Sequence, residues 1–308
     1  MAQNKRIKRP KKKGLYNTRE LHTMLIPAVI FTTIFSYVPI FGLIMAFQNF
    51  KPLMGFRESP FVGLNQFRYI FTMPSFKTAF LNTMIISFFK IVLSILVPLI
   101  LSLMLNEVAK SWFKRTVQTI VFIPYFFSWA ILAGMILEIF AYDGVVNQTL
   151  MHALGSEAKA FLVSNKYFRT IIIGSDVWKG MGYNTVLLLA AITSVDTTLY
   201  EAAQVDGAGR WKQALHITLP GILPMVAVLT VLGLGNILNA GFEQILIMYN
   251  PTVEKTVDIL DTLVYRLGMV SHQYSAAAAM GLFKSIISLF FVGISYWILY
   301  KKSDYRVF

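Results

Sequence analysis

Two kinds of residue are scarce in this 308-residue sequence: cysteine is absent, and charged residues make up only 14%. The absence of cysteine excludes disulfide bridges, thiol nucleophiles and cysteine-ligated metals. The four histidines lie far apart along the chain and show no metal-ligand spacing. We therefore predict no metal site.

Sequence motifs for bond-cleaving chemistry are also absent. The chain contains no G-x-x-x-x-G-K-[ST] phosphate-binding loop, no H-E-x-x-H and no G-x-S-x-G. We therefore predict that the protein is not an enzyme, does not hydrolyse ATP itself and needs no cofactor of its own.

The apolar content is high, as in membrane proteins. Hydrophobic residues make up 56% of the chain, and the mean hydropathy is +0.60. A soluble domain carries about 25% charged residues, and a soluble chain this apolar would expose large hydrophobic patches and aggregate. A membrane protein is therefore predicted.

Six apolar stretches are long enough to cross about 30 Å of hydrocarbon as helices. They lie near residues 23–47, 80–105, 117–140, 169–194, 221–248 and 277–300. The predicted protein is all-α, with a basic tail (1–22), a six-helix transmembrane domain (23–300) and a short C-terminal tail (301–308). The first stretch is too long for a signal peptide and has no cleavage site, so we expect it to be retained.

Basic residues are distributed unevenly along the chain. The net charge is +13, and eight of the 28 Lys and Arg lie in the first 19 residues. In a membrane protein such a cluster indicates contact with anionic lipids rather than with nucleic acid. The segments on the side of both termini carry sixteen Lys and Arg, and those on the other side carry eight. This asymmetry predicts a multi-pass protein of the bacterial plasma membrane with both termini and the loop 195–220 in the cytoplasm.

A short helix is predicted on the outer side, within residues 143–162. Val146, Leu150, Ala153 and Leu154 are spaced as one apolar face of a helix. Two interpretations are open, a lid packed on the helical bundle and a docking surface for a partner.

The cytoplasmic loop 195–220 has the pattern of two helices joined by a glycine turn. Asp196, Thr197 or Thr198 is suited to cap the first helix. Gly207 and Gly209 are expected to interrupt it, and Pro220 is expected to end the second helix where the fifth span begins. This hairpin could be an interfacial anchor or an element that docks into a cytoplasmic partner.

The loop resembles the EAA loop of ABC-importer permeases. The pattern is Glu-Ala-Ala, three residues, Gly, nine residues, Ile, one residue and Leu-Pro, and it is complete between Glu201 and Pro220. It also lies before the penultimate span of a six-span chain, as in that family. The resemblance assigns ATPase coupling to seven residues: Glu201, Ala202, Ala203, Gly207, Ile217, Leu219 and Pro220.

The resemblance extends to the polysaccharide-type group of carbohydrate permeases, which includes aldouronate, alginate and pectin-fragment permeases. It is carried by four stretches: 59–71, 106–129, 199–224 (which contains the EAA loop) and 241–251. The resemblance implies a type I importer permease (MetI-like) fold and import of oligosaccharides into the cytoplasm by alternating access. It also implies a second homologous permease, two ATPase subunits that bind ATP and Mg²⁺, and an external sugar-binding protein as partners.

Polar residues within the spans are candidates for the sugar path, because buried polar groups in membranes usually face the bundle interior. The fourth and fifth spans carry eight of them: Asp176, Lys179, Gly180, Tyr183, Asn184, Asn236, Asn239 and Glu243. Alternatively, Asp176 and Lys179 form an internal ion pair, and the asparagines join helices. If Lys179 is free to contact the substrate, an acidic sugar is its natural ligand.

Several other features leave alternatives open. The aromatic cluster 122–129 is typical of a membrane-interface belt or core, with pore lining as the other interpretation. Lys90 in the second span could extend to the interface or pair across helices. An ABC permease for another solute class, or an ion-coupled secondary transporter using Asp176 or Glu243, remain alternative functions.

Overall fold

The computed structural model describes residues 18–302, and this part of the chain is helical apart from its connections and one isolated antiparallel bridge between Gln48 and Phe61. The basic tail up to residue 17 and the segment 303–308 lie outside the described residues. The two predicted tails therefore remain predictions over those residues.

The helices are numbered in chain order. The long ones are α1 (Thr18–Thr32, continued by a π turn at Thr33–Tyr37 and a 3-10 segment at Val38–Phe47), α4 (Pro74–Asn106), α5 (Ser111–Phe122, continued as a 3-10 turn at Ile123–Phe126), α6 (Trp129–Ile139), α8 (Phe168–Thr193), α11 (Leu219–Gly235) and α15 (Tyr274–Lys302). The shorter ones are α2 (Gly55–Glu58), α3 (Asn65–Thr72), α7 (Val145–Leu154), α9 (Thr197–Val205), α10 (Arg210–Gln213), α12 (Phe242–Met248), α13 (Glu254–Val257) and α14 (Leu260–Tyr265).

Four continuous helical stretches are long and apolar enough to cross a membrane: His22–Phe47, Pro74–Asn106, Arg210–Gly235 and Tyr274–Trp297. Two bent helix pairs raise the number of candidate spans in the described chain to six, which confirms the predicted all-α, six-helix architecture. One pair is α5 and its 3-10 turn with α6, and the other is α8 with α9.

The prediction of an unbroken third span at 117–140 is wrong. The helix breaks between Phe126 and Trp129, and its two parts meet at 107°. Pro124 lacks the N–H that a continuing helix needs, and Ser128 starts the next helix as its cap, with Oγ accepting from the Ile131 amide at 3.4 Å. The aromatic stretch 122–129 is therefore a helix break rather than the interior of a span.

The prediction of an unbroken fifth span at 221–248 is also wrong. Helix α11 ends at Gly235, and α12 starts only at Phe242. Gly241 precedes α12 with a φ of +95°, a backbone conformation that residues with a Cβ rarely adopt. The chain between the two helices is therefore turned, although its apolar composition is that of a span.

The core forms around α4 and α8, which pack against each other along much of their length. Fully buried side chains on the two helices include Ile86, Phe168, Ile172 and Leu188. Close approach is required at Gly182, where a Cβ would lie 2.4 Å from the Val121 carbonyl oxygen. Gly182 therefore sets the distance at which α8 crosses the end of α5.

The short helix predicted within residues 143–162 is present as α7. Val146 and Leu150 pack on the core, whereas Leu154 is 73% exposed. Buried Asn147 joins the helix to the next segment, since its amide donates to the Lys159 carbonyl at 2.9 Å and accepts from the Lys159 amide at 2.8 Å. The first half of the predicted apolar face packs on the bundle, as in the lid interpretation, but its last turn does not.

Candidate functional site

The first helix of the loop 195–220, α9, begins at the first of the three predicted caps. Asp196 Oδ1 accepts a hydrogen bond from the Thr198 amide at 2.9 Å. This hydrogen bond holds the pKa of Asp196 below its ordinary value, because it favours the charged carboxylate. The start of α9 is therefore defined by the side chain of Asp196.

The glycine turn after α9 depends on Gly207. Its φ of +75° lets the chain reverse, and the Ala208 amide then reaches the Ala203 carbonyl at 2.8 Å. Gly209 is different, since it is extended with a φ of −68°. The prediction of a left-handed or tight turn is confirmed at Gly207, and Gly209 instead has a conformation open to any residue.

The predicted end of the second helix at Pro220 is wrong. A single helical stretch runs from Arg210 through a π turn at Ala214–Thr218 to Gly235. Pro220 comes directly after the π turn, which accommodates the hydrogen bond that proline cannot make within a continuing helix. The loop therefore continues directly into the fifth span, which gives a stiff connection between α10 and the membrane.

Two faces of the loop can be distinguished by exposure. Glu201 and Ala202 are exposed and Ala203 is half-buried, while Val205 and Trp211 at the turn are 87% and 75% exposed. An exposed apolar tip of this kind is typical of a contact surface for a partner or a membrane.

The opposite face packs on the bundle. Ile217 and Leu219 are half-buried, and buried Thr218 meets the Tyr200 hydroxyl at 2.9 Å, which ties α9 to the helix that enters the membrane. Gly221 allows close approach, since a Cβ there would lie 2.8 Å from Val195 Cγ2. These contacts fix the angle between α9 and the span.

Within the spans, Lys90 of α4 is the centre of a buried polar cluster. Its side chain is 8% exposed, and its ammonium nitrogen lies 3.1 Å from Asp176 Oδ1. It also donates to the Ala240 carbonyl at 2.8 Å and to Gln244 Oε1 at 2.6 Å. Three acceptors match the three donors of an ammonium group. Lys90 therefore pairs across helices, one of its two predicted alternatives.

Fully buried Gln244 extends this cluster to α8. Its Nε2 donates to the Ile172 carbonyl and to Ser175 Oγ, both at 2.8 Å. A Cβ at Gly241 would lie 2.6 Å from Lys90 Nζ, so the cluster also requires glycine at the turn. The cluster thus binds the break in the fifth span to α4 and α8.

Lys179 has a similar role at the other break. It donates to the Phe127 carbonyl and lies 5.2 Å from the centre of the Trp129 ring. The alternative in which Asp176 and Lys179 form an ion pair is wrong, because Asp176 pairs with Lys90 instead. Lys179 is also not free, so the argument from this residue to an acidic sugar loses its basis.

Lys90 and Lys179 therefore each donate a hydrogen bond to a backbone carbonyl at a helix break. A broken helix leaves carbonyl groups without intrahelical partners, which is costly where water is excluded. Lys90 reaches the Ala240 carbonyl and Lys179 reaches the Phe127 carbonyl. Sequence reasoning missed this pairing, although Pro124 and the glycine at 241 were signals for the breaks.

Of the other α8 residues predicted to line the sugar path, two make contacts with other side chains or helices. Tyr183 is 42% exposed and stacks on Tyr125 at 4.9 Å. Asn184 donates to the Ser94 carbonyl of α4 at 2.9 Å and joins two helices, in line with the alternative role. Around half-buried Gly180 a Cβ would have nothing within 4 Å.

Asn236, Asn239 and Glu243 have the i, i+3, i+7 spacing of one helical face, but they do not form one, because α11 ends before them at Gly235. Asn236 caps α11, and its Oδ1 accepts from Asn239 Nδ2 at 3.2 Å. Asn239 Oδ1 accepts from Lys284 of α15 at 2.6 Å. Glu243 lies apart from them, exposed in the first turn of α12. The structure thus joins two of the three to a lysine of the sixth span.

Metal ligation is not a property of these clusters. Within residues 18–302 no group of three or more His, Asp or Glu side chains is placed to hold a metal ion.

Comparison with known proteins gives strong similarity over most of the chain. The sequence is 39% identical to Protein LplB of Bacillus subtilis (strain 168) over 293 residues, which cover 94% of this chain and 91% of the relative. It is 38% identical to the polygalacturonan/rhamnogalacturonan transport system permease protein YteP of the same organism, with 90% and 87% covered.

A solved structure has a similar fold. It is a bacterial alginate ABC transporter in complex with alginate pentasaccharide-bound periplasmic protein. One of its chains is 37% identical to this one and superposes with a TM-score of 0.86, covering 94% of this chain and 96% of that chain.

The family match decides the identity. Residues 94–303, more than half of the chain, match the family described as binding-protein-dependent transport system inner membrane component. This stretch contains the glycine turn, the loop α9–α10, and Asp176, Lys179 and Gln244 of the polar clusters, but not Lys90. The chain belongs to this family, and it is a permease subunit of an ABC importer with the type I (MetI-like) fold.

Proposed function

We propose that this chain is one of two permeases in an importer that moves oligosaccharides into the bacterial cytoplasm by alternating access. The main support is the similarity to permeases whose names specify polygalacturonan, rhamnogalacturonan and alginate. The sugars of polygalacturonan and alginate are uronates, so a uronate-containing oligosaccharide is the substrate class we propose.

In this proposal, partner subunits supply the energy for transport. The chain has no phosphate-binding loop, so ATP and Mg²⁺ bind to two ATPase subunits beneath the membrane. A second, homologous permease completes the pore, and an external sugar-binding protein delivers the oligosaccharide. The lysine-rich side, with both termini, faces the cytoplasm and its anionic lipids.

Helix α9 is the proposed contact with an ATPase subunit. Its start is capped by Asp196, its end turns at Gly207, and Val205 at its tip is 87% exposed. Glu201 can accept charge-assisted hydrogen bonds, and Ala202 permits close approach. Ile217, Leu219 and Pro220 form the frame that joins α9 to the fifth span. Because α10 continues into that span, rotation of the ATPase would move the span as a rigid body.

The sugar path is proposed to run past the two breaks. The breaks at residues 127–128 and 236–241 place the exposed side chains of Tyr183, Asn236 and Asn239 near turned backbone. Irregular backbone at membrane depth occurs where it lines a cavity, and in transporters such breaks form substrate sites. Lys179 contacts the first break, and Asp176 is linked to the second through Lys90. Gly180, Asn184 and Glu243 stay candidates for the sugar path.

Gly207→Val is expected to uncouple ATP hydrolysis from uptake. A β-branched residue at a φ of +75° is strained, so the turn changes and α9 no longer seats correctly. Oligosaccharide uptake by the reconstituted importer should fall at least about tenfold, equivalent to about 1.4 kcal/mol of lost coupling. The measurement is sugar-stimulated ATPase activity and uptake in the same proteoliposomes.

Gly209→Val is the matched control for this variant. Gly209 is two residues away, has a φ of −68°, and a Cβ there meets nothing within 4 Å. The Gly209→Val variant should couple ATP hydrolysis to uptake as the wild type does. Normal sugar-stimulated ATPase and uptake in Gly207→Val would contradict the role of the turn.

A further inference from the structure

A cavity of about 640 Å³ lies between the break in the fifth span, α14 and α15. Its polar groups are Asn239, Asp261 and Lys284, and its aromatic walls include Phe242, Tyr265 and Tyr274. Small-molecule sites commonly have about 300–1,000 Å³ with mostly apolar walls and a few convergent polar groups. This cavity has that character, and Asp261 and Lys284 were not among the sequence-predicted path residues.

The three polar side chains form a connected group. Lys284 Nζ lies 2.5 Å from Asp261 Oδ1 and 2.6 Å from Asn239 Oδ1. The side chains of Lys284 and Asp261 are 17% and 19% exposed, so both are largely withdrawn from solvent yet still reachable. The group is positioned by three separate elements, which makes it a built site rather than a surface pair.

The charge of the group decides what it can bind. Lys284 and Asp261 neutralise each other, so a carboxylate ligand gains no net attraction. Among the described residues, Asp261 Oδ2 has no hydrogen-bond partner, and a second carboxylate beside it would be repelled. A sugar hydroxyl can instead donate to this oxygen while a neighbouring hydroxyl accepts from Lys284 or Asn239.

We propose that Asp261, Lys284 and Asn239 bind the hydroxyl groups of one sugar ring, whose C–H face lies on the aromatic walls. This inference rests on the proposed function and names the part of the substrate that this chain recognises. The aromatic walls suit it, because Phe242 and Tyr265 lie 5.8 Å apart at the cavity and Tyr265 is 38% exposed.

The other basic residues of the spans are consistent with this assignment. Lys90, Arg169 and Lys179 each contact protein oxygens: Asp176, Asn82 and the Phe127 carbonyl, respectively. These three cations are therefore already engaged by protein oxygens. The arrangement of these polar groups therefore favours recognition of substrate hydroxyls over substrate carboxylates.

The decisive variant is Asp261→Asn, because the two kinds of recognition predict opposite signs. If the site binds hydroxyls, the loss of a charged acceptor should raise the Kd about tenfold. If it binds carboxylates through Lys284, the same change frees the ammonium and should lower the Kd. The measurement is binding of radiolabelled oligogalacturonide and alginate oligosaccharide to the complete complex in nanodiscs, without the binding protein.

Three further variants separate binding from folding. Lys284→Met should raise the Kd as well, and Lys284→Arg should recover part of the affinity. Glu157→Gln changes an exposed carboxylate of the outer loop and should leave the Kd unchanged. Thermal unfolding of each complex shows whether the fold is intact.

Three outcomes would overturn the site. They are a lower Kd in Asp261→Asn, an unchanged Kd in both Asp261→Asn and Lys284→Met, and binding of neither probe by the wild type. ATPase stimulation by the sugar-loaded binding protein is measured on the same preparations. Normal stimulation with an unchanged Kd would remove this site alone, whereas absence of stimulation in the wild type would remove the proposed function.

Discussion

Lys90→Met is expected to destabilise the protein by about 3–5 kcal/mol, the usual cost of removing one partner from a buried ion pair. The substitution keeps the apolar stem but leaves Asp176, the Ala240 carbonyl and Gln244 Oε1 without their common donor. The break in the fifth span then loses its attachment to α4. The folded yield in detergent and the midpoint of thermal unfolding should both fall strongly.

A double-mutant cycle tests whether charge pairing is the cause. Adding Asp176→Asn to Lys90→Met removes the unpaired carboxylate and should recover part of the lost stability. Lys77→Met is the matched control, since Lys77 is exposed on the same helix and its loss should cost less than about 0.5 kcal/mol. Wild-type stability of Lys90→Met would contradict the role of the buried cluster.

Gly182→Ala is expected to be the second most damaging change. The new Cβ would lie 2.4 Å from the Val121 carbonyl oxygen and 2.6 Å from Phe122 Cα, both backbone atoms that side-chain rotation cannot move. The end of α5 must shift, and overpacking of this kind costs about 1–3 kcal/mol. Because α5 leads into the break at residues 127–128, transport should fall together with the unfolding temperature.

Gly180→Ala is the control two residues away on the same helix. A Cβ at Gly180 meets nothing within 4 Å, and alanine favours the helix by about 1 kcal/mol over glycine. Its unfolding temperature should be equal to or above that of the wild type. Equal stability of the two alanine variants would show that the crossing at Gly182 is looser than described.

The local structure of the loop 195–220 could be predicted well because its signals are local. An acidic cap at Asp196, helix-forming residues and a glycine at 207 determine their own conformation through neighbouring residues. The continuation through Pro220 could not be predicted, because a π turn absorbs the proline and depends on how the helix enters the bundle. The six apolar spans were predictable for the simpler reason that their length matches the bilayer.

The polar clusters could not be predicted for a different reason. Periodicity places Asp176 and Lys179 on one face of a helix, but their partners belong to other elements: Lys90 lies 86 positions before Asp176, and Phe127 lies 52 before Lys179. A pattern within one helix favours the local pair, whereas the structure shows the distant ones. The same holds for Asn239, whose contact with Lys284 bridges 45 positions and requires the break at Gly241.

These contacts suggest how the fold serves transport. The breaks supply turned backbone and exposed polar groups in the membrane, and the lysines stabilise that backbone at two points. Transfer of motion from α9 needs a stiff link, which the continuous helix from Arg210 to Gly235 provides. Rocking of one permease against another requires rigid helices around a polar path.

The most direct test of α9 as the contact with the ATPase is site-specific cross-linking. The chain has no cysteine, so a single cysteine can be placed at Val205, at the exposed tip of α9, or at exposed Val163, between α7 and α8. The full complex, with its ATPase subunits, is treated with a short heterobifunctional reagent that joins the cysteine thiol, through a maleimide, to a nearby lysine amine, through an active ester. Our proposal predicts that the Val205→Cys chain cross-links to an ATPase subunit and the Val163→Cys chain does not. Labelling of Val205→Cys from outside the cell, or cross-linking from Val163→Cys alone, would contradict it.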